Sequence, residues 1–440
     1  TLLDIARKVF STILLMRVKE EVDIRMRENQ AGFRKGRSCS DQIFSLNQVI
    51  EKCLDQQLPC LINFIDFKAA FDSVHRPSLW EILKIYGIPS KIINLVKNSY
   101  RETTCAVRAE GAISSWFQIV TGVRQGDIWS PLLFGLAIDF VMRAAVDANN
   151  SGLILTPRRS SRYPEVRLPD LDYADDIALF EDSDLKMANT TEAIRATAGK
   201  LGLKMSFKKT EILPIGHSCT TPPTVPLGDE GNIKVVQHFK YLGAYCSADG
   251  TNTKELNHRV GKAAGAFREL DMVWKDRYIN LNTKMKFYNA CVLSTLLYGA
   301  ECWSLTERDE ARLDAFDMRC QRKILRITWL QHKTNHYVRS LTKQPQLTNI
   351  IRNRRLKWFG HVLRMDPGRI PRTLYLWNPT HGKRKRGRPR TMWKDVIQRD
   401  LKTLGFDWSV EEAEVATQDR ALWRFLVGQA ASAEMHDANR

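Results

Sequence analysis

Short apolar runs alternate with amphipathic stretches along residues 1–250, a pattern typical of folds that mix strands with helices. Ser130 is predicted as a helix N-cap because its hydroxyl can accept a free backbone N–H, and Pro131 suits the first turn. Over 61–250 the alternation predicts an α+β layer with helices on one face. The predicted elements are, in chain order, helices over 1–57 broken at 30–38, a strand at 61–67, helices over 78–100 interrupted at Gly87–Pro89, a hairpin at 103–121, a helix over 131–148, a loop at 156–170, two short strands meeting at Asp175–Asp176, a helix over 184–202, a loop at 217–231 and a strand pair at 235–245.

From residue 254 onward the apolar positions follow a helical period. Two stripes carry this pattern, one of Leu256, Val260, Ala263, Phe267, Leu270 and Trp274 and one of Leu313, Phe316, Cys320, Ile324 and Ile327. Composition then changes sharply, since residues 351–400 contain 15 lysines and arginines against 3 acidic residues, a net charge of +12. This shift predicts a domain boundary near residue 350.

The whole chain carries a net charge of +18 over 440 residues, which indicates a polyanionic partner such as nucleic acid. A membrane is the rival partner, but no apolar run approaches the roughly 18 residues of a membrane span. The nine cysteines contain no C-x-x-C pair and are typical of reduced, intracellular thiols. Cys320, His332 and His336 have a loosely metal-like spacing, but ordinary helix residues are the favoured interpretation.

Three acids stand in apolar, strand-forming surroundings: Asp66 in F-I-D-F, and the pair Asp175–Asp176 in L-D-Y-A-D-D-I-A-L-F. Two like charges about 4 Å apart repel by roughly 4 kcal/mol even at an effective dielectric of 20. A hard divalent cation such as Mg²⁺ removes this repulsion, and two such ions can promote phosphoryl transfer. The alternative is that the Asp pair merely occupies a hairpin turn, which aspartate favours.

Several sequence blocks resemble the reverse transcriptase of non-LTR (LINE-type) retrotransposons, and they occur in that family's order. The blocks are Q-A-G-F-R-K-G-R-S-C-S-D-Q-I (30–43), F-I-D-F-K-A-A-F-D-S-V (64–74), G-V-R-Q-G-D-I-W-S-P-L-L-F (122–134), Y-A-D-D (173–176), L-G-L-K-M-S-F-K-K-T-E (201–211) and F-K-Y-L-G-A (239–244). The resemblance implies a right-hand polymerase fold. Its expected parts are partial fingers over 1–60, a palm with further fingers elements over 61–250, a helical thumb over 251–345 and a basic nucleic-acid-binding region over 346–440.

The resemblance also implies a chemistry for the acids. Asp66 and Asp175 would bridge two Mg²⁺ ions, with Mn²⁺ as a substitute, and Asp176 would complete the catalytic cluster. Lys209 resembles the palm lysine near the triphosphate, where it could protonate the pyrophosphate leaving group. An exposed surface lysine is the alternative for this position.

Further residues correspond to the family's nucleotide and primer sites. Phe71 resembles the aromatic that lies under the incoming sugar and excludes a 2′-hydroxyl, which favours DNA synthesis even though the acidic Asp72 follows it. Gln125 and Gly126 resemble the residues that approach nucleotide and template. The primer grip corresponds to Tyr241, Leu242 and Gly243.

The stretch H-G-K-R-K-R-G-R-P-R (381–390) is too basic for a core element. It is compatible with an AT-hook in a narrow minor groove, a nuclear localisation signal, or a solvated linker, but a phosphate-binding strip is favoured. The tryptophans Trp358, Trp377 and Trp393 could stack on bases or pack a small domain. The predicted nucleic-acid-binding residues are Lys383, Arg384, Lys385, Arg386, Arg388 and Arg390.

The sequence thus predicts an RNA-directed DNA polymerase that extends a DNA 3′-end on an RNA template. Its expected partners are the RNA template, a DNA primer or target and dNTPs, without a membrane. Its expected location is the nucleus, with a cytoplasmic RNA-bound stage. Two alternatives stay open: a remnant that binds nucleic acid with weak or no catalysis, and a group II intron-type maturase and reverse transcriptase. Because the chain begins at Thr1 within an amphipathic pattern, it is expected to be a fragment of a longer protein. The family resemblance implies that the longer protein carries further fingers sequence and an endonuclease upstream.

Overall fold

The computed structural model describes residues 5–149, 151–162, 164–216, 223–379, 382–384, 387, 389–403, 405 and 410–437. These residues form two compact units. The described residues of the first unit fall within Thr1–Gln42, Gln57–Gln237 and Asn378–Gly382. Those of the second unit fall within Ile43–Gln56, His238–Trp377 and Lys383–Arg440. Each unit therefore combines segments that are far apart in the sequence.

Helices make up most of the second unit, and in the first unit its own helices cover the central sheet. In the described part of the chain they are α1 Ile5–Arg25, α2 Cys39–Asp55, α3 Ala70–Ser73, α4 Arg76–Ile85, α5 Ser90–Ser99, α6 Ser130–Ala145, α7 Asp184–Lys200, α8 Thr253–Glu269, α9 Asp271–Lys275, α10 Leu281–Phe287, α11 Ser294–Leu296, α12 Glu307–Leu325, α13 Asn335–Thr342, α14 Leu347–Leu363, α15 Ile370–Leu376, α16 Trp393–Thr403, α17 Val410–Gln418 and α18 Arg420–Asp437. A π-helix at Tyr288–Leu293 joins α10 to α11. The predicted change to helical structure after residue 254 is confirmed.

The strands are short, and most belong to the first unit. They are β1 Cys60–Ile65, β2 Phe67–Lys68, β3 Thr104–Cys105, β4 Arg108–Ala109, β5 Ala112–Ile113, β6 Phe117–Gln118, β7 Leu153–Thr156, β8 Val166–Leu168, β9 Asp170–Tyr173, β10 Asp176–Glu181, β11 Lys204–Met205, β12 Glu211–Ile215, β13 Lys234–Val235, β14 His238–Tyr241 and β15 Ala244–Ser247. Five of them form the central sheet in the order β13-β12-β1-β10-β9. Only β12 and β13 pair in parallel within it.

The central sheet is fixed by its fully apolar middle strand. All six residues of β1 are buried, as expected for a strand covered on both faces. Alternate residues Leu61 and Ile65 join the same hydrophobic cluster as α6 and α7. Between them the buried amide of Asn63 donates to Thr191 Oγ1 of α7 at 2.9 Å, so that its nitrogen is satisfied. The helices α6 and α7 therefore cover this face of the sheet, as the α+β prediction requires.

The second unit has its own apolar core, built from both predicted stripes. Leu256, Phe267 and Trp274 pack with Leu313 and Phe316 in one cluster. Leu347 and Ile351 of α14 belong to the same cluster. Helix α14 thus contributes residues of its buried side to the core of the second unit.

The part of α2 that follows Gln42 completes this unit. Phe44 packs edge-on against Trp393 with ring centroids 4.8 Å apart, and Glu51 accepts the Trp393 backbone N–H at 2.7 Å. Burial raises the pKa of Glu51 to about 7 and lowers that of its neighbour Lys52 to about 8. Lys52 Nζ donates to the backbone oxygens of residues 374, 375 and 377, which compensates its burial.

Two local predictions were wrong. Ser130 is the first residue of α6 and not its N-cap; its hydroxyl donates to the Arg124 carbonyl oxygen at 2.5 Å. The predicted loop at 156–170 contains β8, which pairs with β7. The described residues contain no helix that is long and apolar enough to cross a bilayer.

Candidate functional site

The predicted catalytic acids lie at the ends of neighbouring strands of the central sheet. In the antiparallel pair β1–β10, Ile65 is opposite Ile177. Continued by one residue, this register sets Asp66 opposite Asp176, the first residue of β10. Residues directly opposite in antiparallel strands share a face, with Cβ atoms about 4.5–5.5 Å apart. The fold thus brings together acids that are distant in the sequence.

The turn between β9 and β10 carries the third acid. Tyr173 pairs with Asp176, which leaves Ala174 and Asp175 as the two central residues of the turn. Ala174 has a φ of 58°, in the left-handed region that residues other than glycine rarely adopt. Asp175 is partly buried and Asp176 is exposed. The tight turn places two consecutive carboxylates at one end of the sheet.

The acids act on one another electrostatically. Burial, followed by the charge of Asp66, raises the pKa of Asp175 above its ordinary value. Desolvation, followed by the charges of Asp175 and Asp66, raises the pKa of Asp176 to about 6. A cation bound between these carboxylates would favour their ionised forms and reverse both shifts.

Lys209 lies beside the first of these acids. Its Nζ is 3.3 Å from Asp66 Oδ2, and most of the lysine side chain is exposed. Asp66 Oδ2 is nevertheless buried and accepts no hydrogen bond. The segment before Lys209 is attached to the same strand end, because the Ser206 N–H donates to the Asp66 backbone oxygen at 2.7 Å and Met205 pairs with Phe67. The ammonium group of Lys209 and the carboxylates of Asp66, Asp175 and Asp176 therefore lie at the same end of the sheet.

These carboxylates can bind a hard divalent cation, but they do not provide a complete set of ligands for it. Among the described residues, no three His, Cys, Asp or Glu side chains converge closely enough to hold a metal ion by themselves. Mg²⁺ is usually held by one or two carboxylates together with waters and substrate phosphates. Asp66, with its buried oxygen that lacks a hydrogen bond, and Asp175 supply such ligands. The residues therefore fit an ion whose remaining ligands come from nucleotide phosphates. That Asp66, Asp175 and Asp176 are its protein ligands stays a prediction.

The predicted sugar-contacting aromatic is held by packing on two sides. Phe71 lies on α3, five positions after Asp66. Its ring stacks on Phe134 of α6 with centroids 4.2 Å apart and planes at 18°. Phe33 meets it edge-on at 6.5 Å. Such packing fixes the ring position, which a side chain that selects by shape requires.

The predicted nucleotide loop docks against the same short helix. Gln125 Nε2 donates to both carboxylate oxygens of Asp72, at 3.3 and 3.4 Å. A Cβ on Gly122 would lie 2.5 Å from the Asp72 backbone oxygen, so this position accepts only glycine. Gly126 is exposed with a φ of 89°, a conformation that glycine adopts readily. The acid that follows Phe71 is therefore engaged by Gln125.

Sequence reasoning assigned no individual role to Gln30 and Gly32, which the structure places against the acidic turn. Gln30 is fully buried and hydrogen-bonds both backbone groups of Ala174. A Cβ on Gly32 would lie 2.3 Å from the Ala174 nitrogen. A neutral amide followed two positions later by glycine, within a block otherwise rich in basic residues, was the available signal.

Arg27 is a second residue that the sequence did not reveal, since it reads as the polar end of a helix. Its side chain is 4 % exposed and its guanidinium contacts Asp170 at 2.5 Å, Asp172 at 3.4 Å and Asp147 at 3.0 Å. Burial and the nearby charge of Asp170 raise the pKa of Asp172 well above its usual range. Strand β9, which leads into the acidic turn, is thus held by a buried charge network.

The predicted primer grip is a tight hairpin of the second unit. Leu242 and Gly243 have φ of 47° and 82°, the two positive values of a type I′ turn between β14 and β15. The Tyr298 hydroxyl donates to the Leu242 carbonyl oxygen at 2.8 Å, and Arg259 donates to that of Gly243. Tyr241 is buried. The tip of the hairpin is therefore attached to the helices of its own unit.

The basic segment is described only in part. Lys383 and Arg384 are exposed, Arg390 is partly exposed, and Lys385, Arg386 and Arg388 lie outside the described residues. Arg384 and Arg390 line a groove of about 900 Å³ together with Arg308 and Arg312. The acids Glu51, Asp55 and Asp309 also line it, and Asp55 forms an ion pair with Arg384 at 3.1 Å.

Two of the three tryptophans near this segment belong to the protein interior. Trp377 and Trp393 are buried, and Trp358 packs edge-on against Phe44 with centroids 5.9 Å apart. Of the two roles considered for these residues, packing is the one the structure supports. Cys320 is likewise buried in α12 among apolar residues, in agreement with its interpretation as an ordinary helix residue.

Comparison with known proteins agrees with this geometry. Residues 1–246, more than half of the chain, match the family described as "Reverse transcriptase (RNA-dependent DNA polymerase)". The chain therefore belongs to the reverse transcriptase family. Its relatives include proteins of retrotransposable elements and transposons, to which it is similar.

Three relatives illustrate the similarity. The Pol polyprotein of the type-1 retrotransposable element R2 of Nasonia vitripennis is 27 % identical over 273 residues, covering 58 % of this chain and 24 % of that protein. The polyprotein of the type-2 element R2DM of Drosophila melanogaster is 25 % identical, covering 61 % of this chain and 26 % of that protein. "Probable RNA-directed DNA polymerase from transposon BS" of the same fly is 26 % identical over 68 % of this chain and 32 % of that protein. The chain thus spans about a quarter to a third of the length of these relatives.

Among solved structures, apo telomerase from Candida tropicalis aligns with 13 % identity and a TM-score of 0.41, covering 83 % of this chain and 61 % of that chain. A likeness of this size carries no argument here.

Proposed function

We propose that this chain is the part of a non-LTR retrotransposon protein that synthesises DNA on an RNA template. The observation that carries the proposal is the meeting of Asp66, Asp175 and Asp176 at one end of the central sheet, beside Lys209. Family membership supplies the reaction class. The acids at the sheet end supply the chemistry that this class requires.

In the proposed reaction, a primer 3′-hydroxyl attacks the α-phosphate of a dNTP and pyrophosphate leaves. Two Mg²⁺ ions, when bound by Asp66 and Asp175, would lower the pKa of the hydroxyl and stabilise the leaving oxygen. Asp176 adds negative charge to the cluster. Lys209 is close enough to Asp66 to approach a triphosphate held there, and its ammonium can give a proton to the pyrophosphate.

Nucleotide selection is proposed for the α3 region. Phe71, fixed between Phe134 and Phe33, would exclude a ribose 2′-hydroxyl by its bulk. Gln125 holds the Asp72 carboxylate, which would otherwise be available to accept a hydrogen bond from that hydroxyl. Both features support dNTPs as the substrate.

Nucleic-acid binding is proposed for parts of both units. In the first, the palm is the central sheet with α6 and α7, and residues before it contribute to the fingers. In the second, the helices form the thumb and the Tyr241–Gly243 turn forms the primer grip. The arginine-lined groove, which includes Arg384 and Arg390, would contact phosphates of the RNA template or the DNA target. Synthesis at a DNA target implies a nuclear site of action.

Primer extension tests the proposal. The purified chain would be incubated with an RNA template, an annealed DNA primer, Mg²⁺ and dNTPs, and product length would be followed. Asp175→Ala should abolish extension, whereas Asp182→Ala, which removes an exposed acid of a surface ion pair, should not. Extension that survives Asp175→Ala would refute the assignment of the acids. Nucleic-acid binding without extension by the unaltered chain would favour a binding protein over a polymerase.

A further inference from the structure

The turn that carries Asp175 needs support from outside its own hairpin. Ala174, immediately before Asp175, adopts a φ of 58°. Backbone conformations of this kind persist where the surroundings hold them in place. The hairpin pairing of Tyr173 with Asp176 closes the turn but leaves the backbone groups of Ala174 to be satisfied by other residues.

The side chain of Gln30 supplies those partners. Its Oε1 accepts the Ala174 N–H at 2.8 Å, and its Nε2 donates to the Ala174 carbonyl oxygen at 3.3 Å. The same Oε1 also accepts the Gly32 N–H at 2.8 Å. Gln30 has no exposed surface, so these bonds form without competition from solvent. One amide side chain therefore hydrogen-bonds both the N–H and the carbonyl oxygen of Ala174, the residue before Asp175.

The backbone around Gln30 is itself attached to the acidic hairpin. Gln30 forms a parallel bridge to Asp172 of β9. The Asp172 N–H donates to the Asn29 oxygen at 3.0 Å, and the Ala31 N–H donates to the Asp172 oxygen at 2.9 Å. Segment 29–31 is thus hydrogen-bonded alongside β9. The side chain that reaches Ala174 starts from a fixed base.

Gly32 is required by the same contact, for reasons of space. An added Cβ would lie 2.3 Å from the Ala174 nitrogen and 2.9 Å from Gln30 Oε1. Both atoms belong to the hydrogen-bonded clamp, so neither can move without breaking it. The spacing Q-x-G in this block is explained by one amide reaching Ala174 and one missing side chain that lets it approach.

We propose that Gln30 is a positioning residue, which holds the Ala174 turn and thereby sets the Asp175 carboxylate for metal binding and catalysis. The inference rests on the proposed function for its catalytic consequence. Its structural part, the clamp on Ala174, stands independently. It assigns a task to the Q-A-G block beyond forming a basic turn.

The test compares Gln30→Met with Gln321→Met in the full chain. Methionine preserves the length and volume of glutamine but removes its hydrogen bonds. Gln321 is a matched control because it is also buried and also bonded at both ends, to Asp317 and Thr342 of the second unit. A second variant, Gln30→Glu, keeps the acceptor for the Ala174 N–H and loses the donor.

Three readouts are measured on each protein: amide hydrogen exchange of residues 173–176, Mn²⁺ binding followed by electron paramagnetic resonance, and primer-extension kinetics. Gln30→Met should speed exchange at Ala174 at least about 10-fold, weaken Mn²⁺ binding about 10-fold and lower kcat about 100-fold, with the KM for dNTP changed less than about threefold. Gln30→Glu should retain protection of the Ala174 amide. Gln321→Met should change neither the exchange of residues 173–176 nor Mn²⁺ binding.

The outcomes separate the two proposals. If the unaltered chain does not extend a primer, the proposed function fails, while the exchange and Mn²⁺ results still decide the clamp. Unchanged exchange and unchanged Mn²⁺ affinity in Gln30→Met would overturn the positioning role whatever the activity. Equal losses in Gln30→Met and Gln30→Glu at the Ala174 amide would also overturn it, since the acceptor would then be irrelevant.

Discussion

Lys209 Nζ lies 3.3 Å from Asp66 Oδ2, which attaches the K-K-T-E segment to the first acid of the candidate site. If Lys209 gives a proton to pyrophosphate, its removal slows the chemical step by a factor typical of general acids, about 100-fold or more. Lys209→Ala should therefore lower kcat to that extent in single-turnover primer extension. Lys208→Ala, which removes the exposed lysine one position earlier, should leave kcat within about twofold. Equal effects of the two substitutions would point to general charge loss and away from proton transfer.

Asp176→Asn should stabilise the protein at high pH. The pKa of Asp176 is raised from 3.8 to about 6, so the folded state binds its proton more tightly than the unfolded chain. Stability therefore falls as pH rises from about 4 to about 6 and stays reduced above that range. Because the residue is exposed and its charge is screened, we expect asparagine to recover only about 1 kcal/mol at pH 8.

Urea unfolding at pH 8 and at pH 4, without added metal, checks this prediction. The gain should be present at pH 8 and absent at pH 4, where Asp176 is already protonated. A gain of the same size at both pH values would show that packing, and not charge, is responsible.

Arg27→Met should destabilise the first unit severely. The substitution leaves the buried carboxylate of Asp170 without its cation, and breaking a buried pair from one side costs about 3–5 kcal/mol. The free energy of unfolding in urea measures the loss. Arg195→Met is the control, since its partner Glu192 is also exposed and such a pair contributes less than about 1 kcal/mol. Similar losses for both variants would contradict a special role of the buried network.

Phe71→Val should relax the choice of sugar. A smaller side chain leaves room for a 2′-hydroxyl, and differences of this size in a pocket change discrimination by about 10- to 200-fold. The measurement is the ratio of kcat/KM for dNTP to that for the matching rNTP, which should fall by at least about tenfold. Phe117→Val, at an exposed aromatic, should leave the ratio unchanged. An unchanged ratio in Phe71→Val would remove Phe71 from the nucleotide site.

Replacing Lys383, Arg384 and Arg390 together by alanine should weaken nucleic-acid binding and reduce its dependence on salt. Each lost phosphate contact lowers the slope of log K against log salt by about 0.9, so a decrease of about 2 to 3 is expected on duplex DNA. Point substitutions are preferable to a deletion of residues 351–440, because α14 and Trp393 contribute buried residues to the second unit.

A control variant removes an equal number of exposed cations from the first unit, at Lys91, Lys97 and Arg101. The slope should change less in this variant than in the first. Equal changes would mean that net charge alone, and not the arginine-lined groove, sets the affinity.

The strands that carry the candidate acids could be predicted from the sequence, because they have strong local signatures, whereas the roles of the site residues stay predictions. An Asp pair between two apolar runs indicated a hairpin, and the hydrophobic strand before Asp66 indicated its partner in the sheet. The helical stripes after residue 254 indicated a second core. In each case a periodic apolar pattern determined the element.

The features that the sequence did not predict depend on contacts between segments that are distant in the chain. The bonds of Gln30 and Arg27 join residues more than 140 positions apart, at Ala174 and Asp170, and neither has a local signature. The boundary predicted near residue 350 depends on charge composition, which describes the exposed side of a helix, whereas α14 also has a buried side. The N-cap of α6 was predicted one residue too late, at Ser130, because the residue at the cap is Trp129, whose side chain makes no capping hydrogen bond.

The buried end of α2 has a consequence for the order in which the protein is made. Glu51 is joined to Trp393 across 342 residues of chain. At about 5–20 residues per second, a ribosome needs roughly 20–70 seconds to add that length. During this interval Phe44, Glu51 and Lys52 lack the aromatic ring and backbone groups that bury them in the finished fold. The buried interior of the second unit can therefore form completely only after Trp393 has been added to the chain. Until then, the part of α2 that follows Gln42 lacks its contacts with that residue.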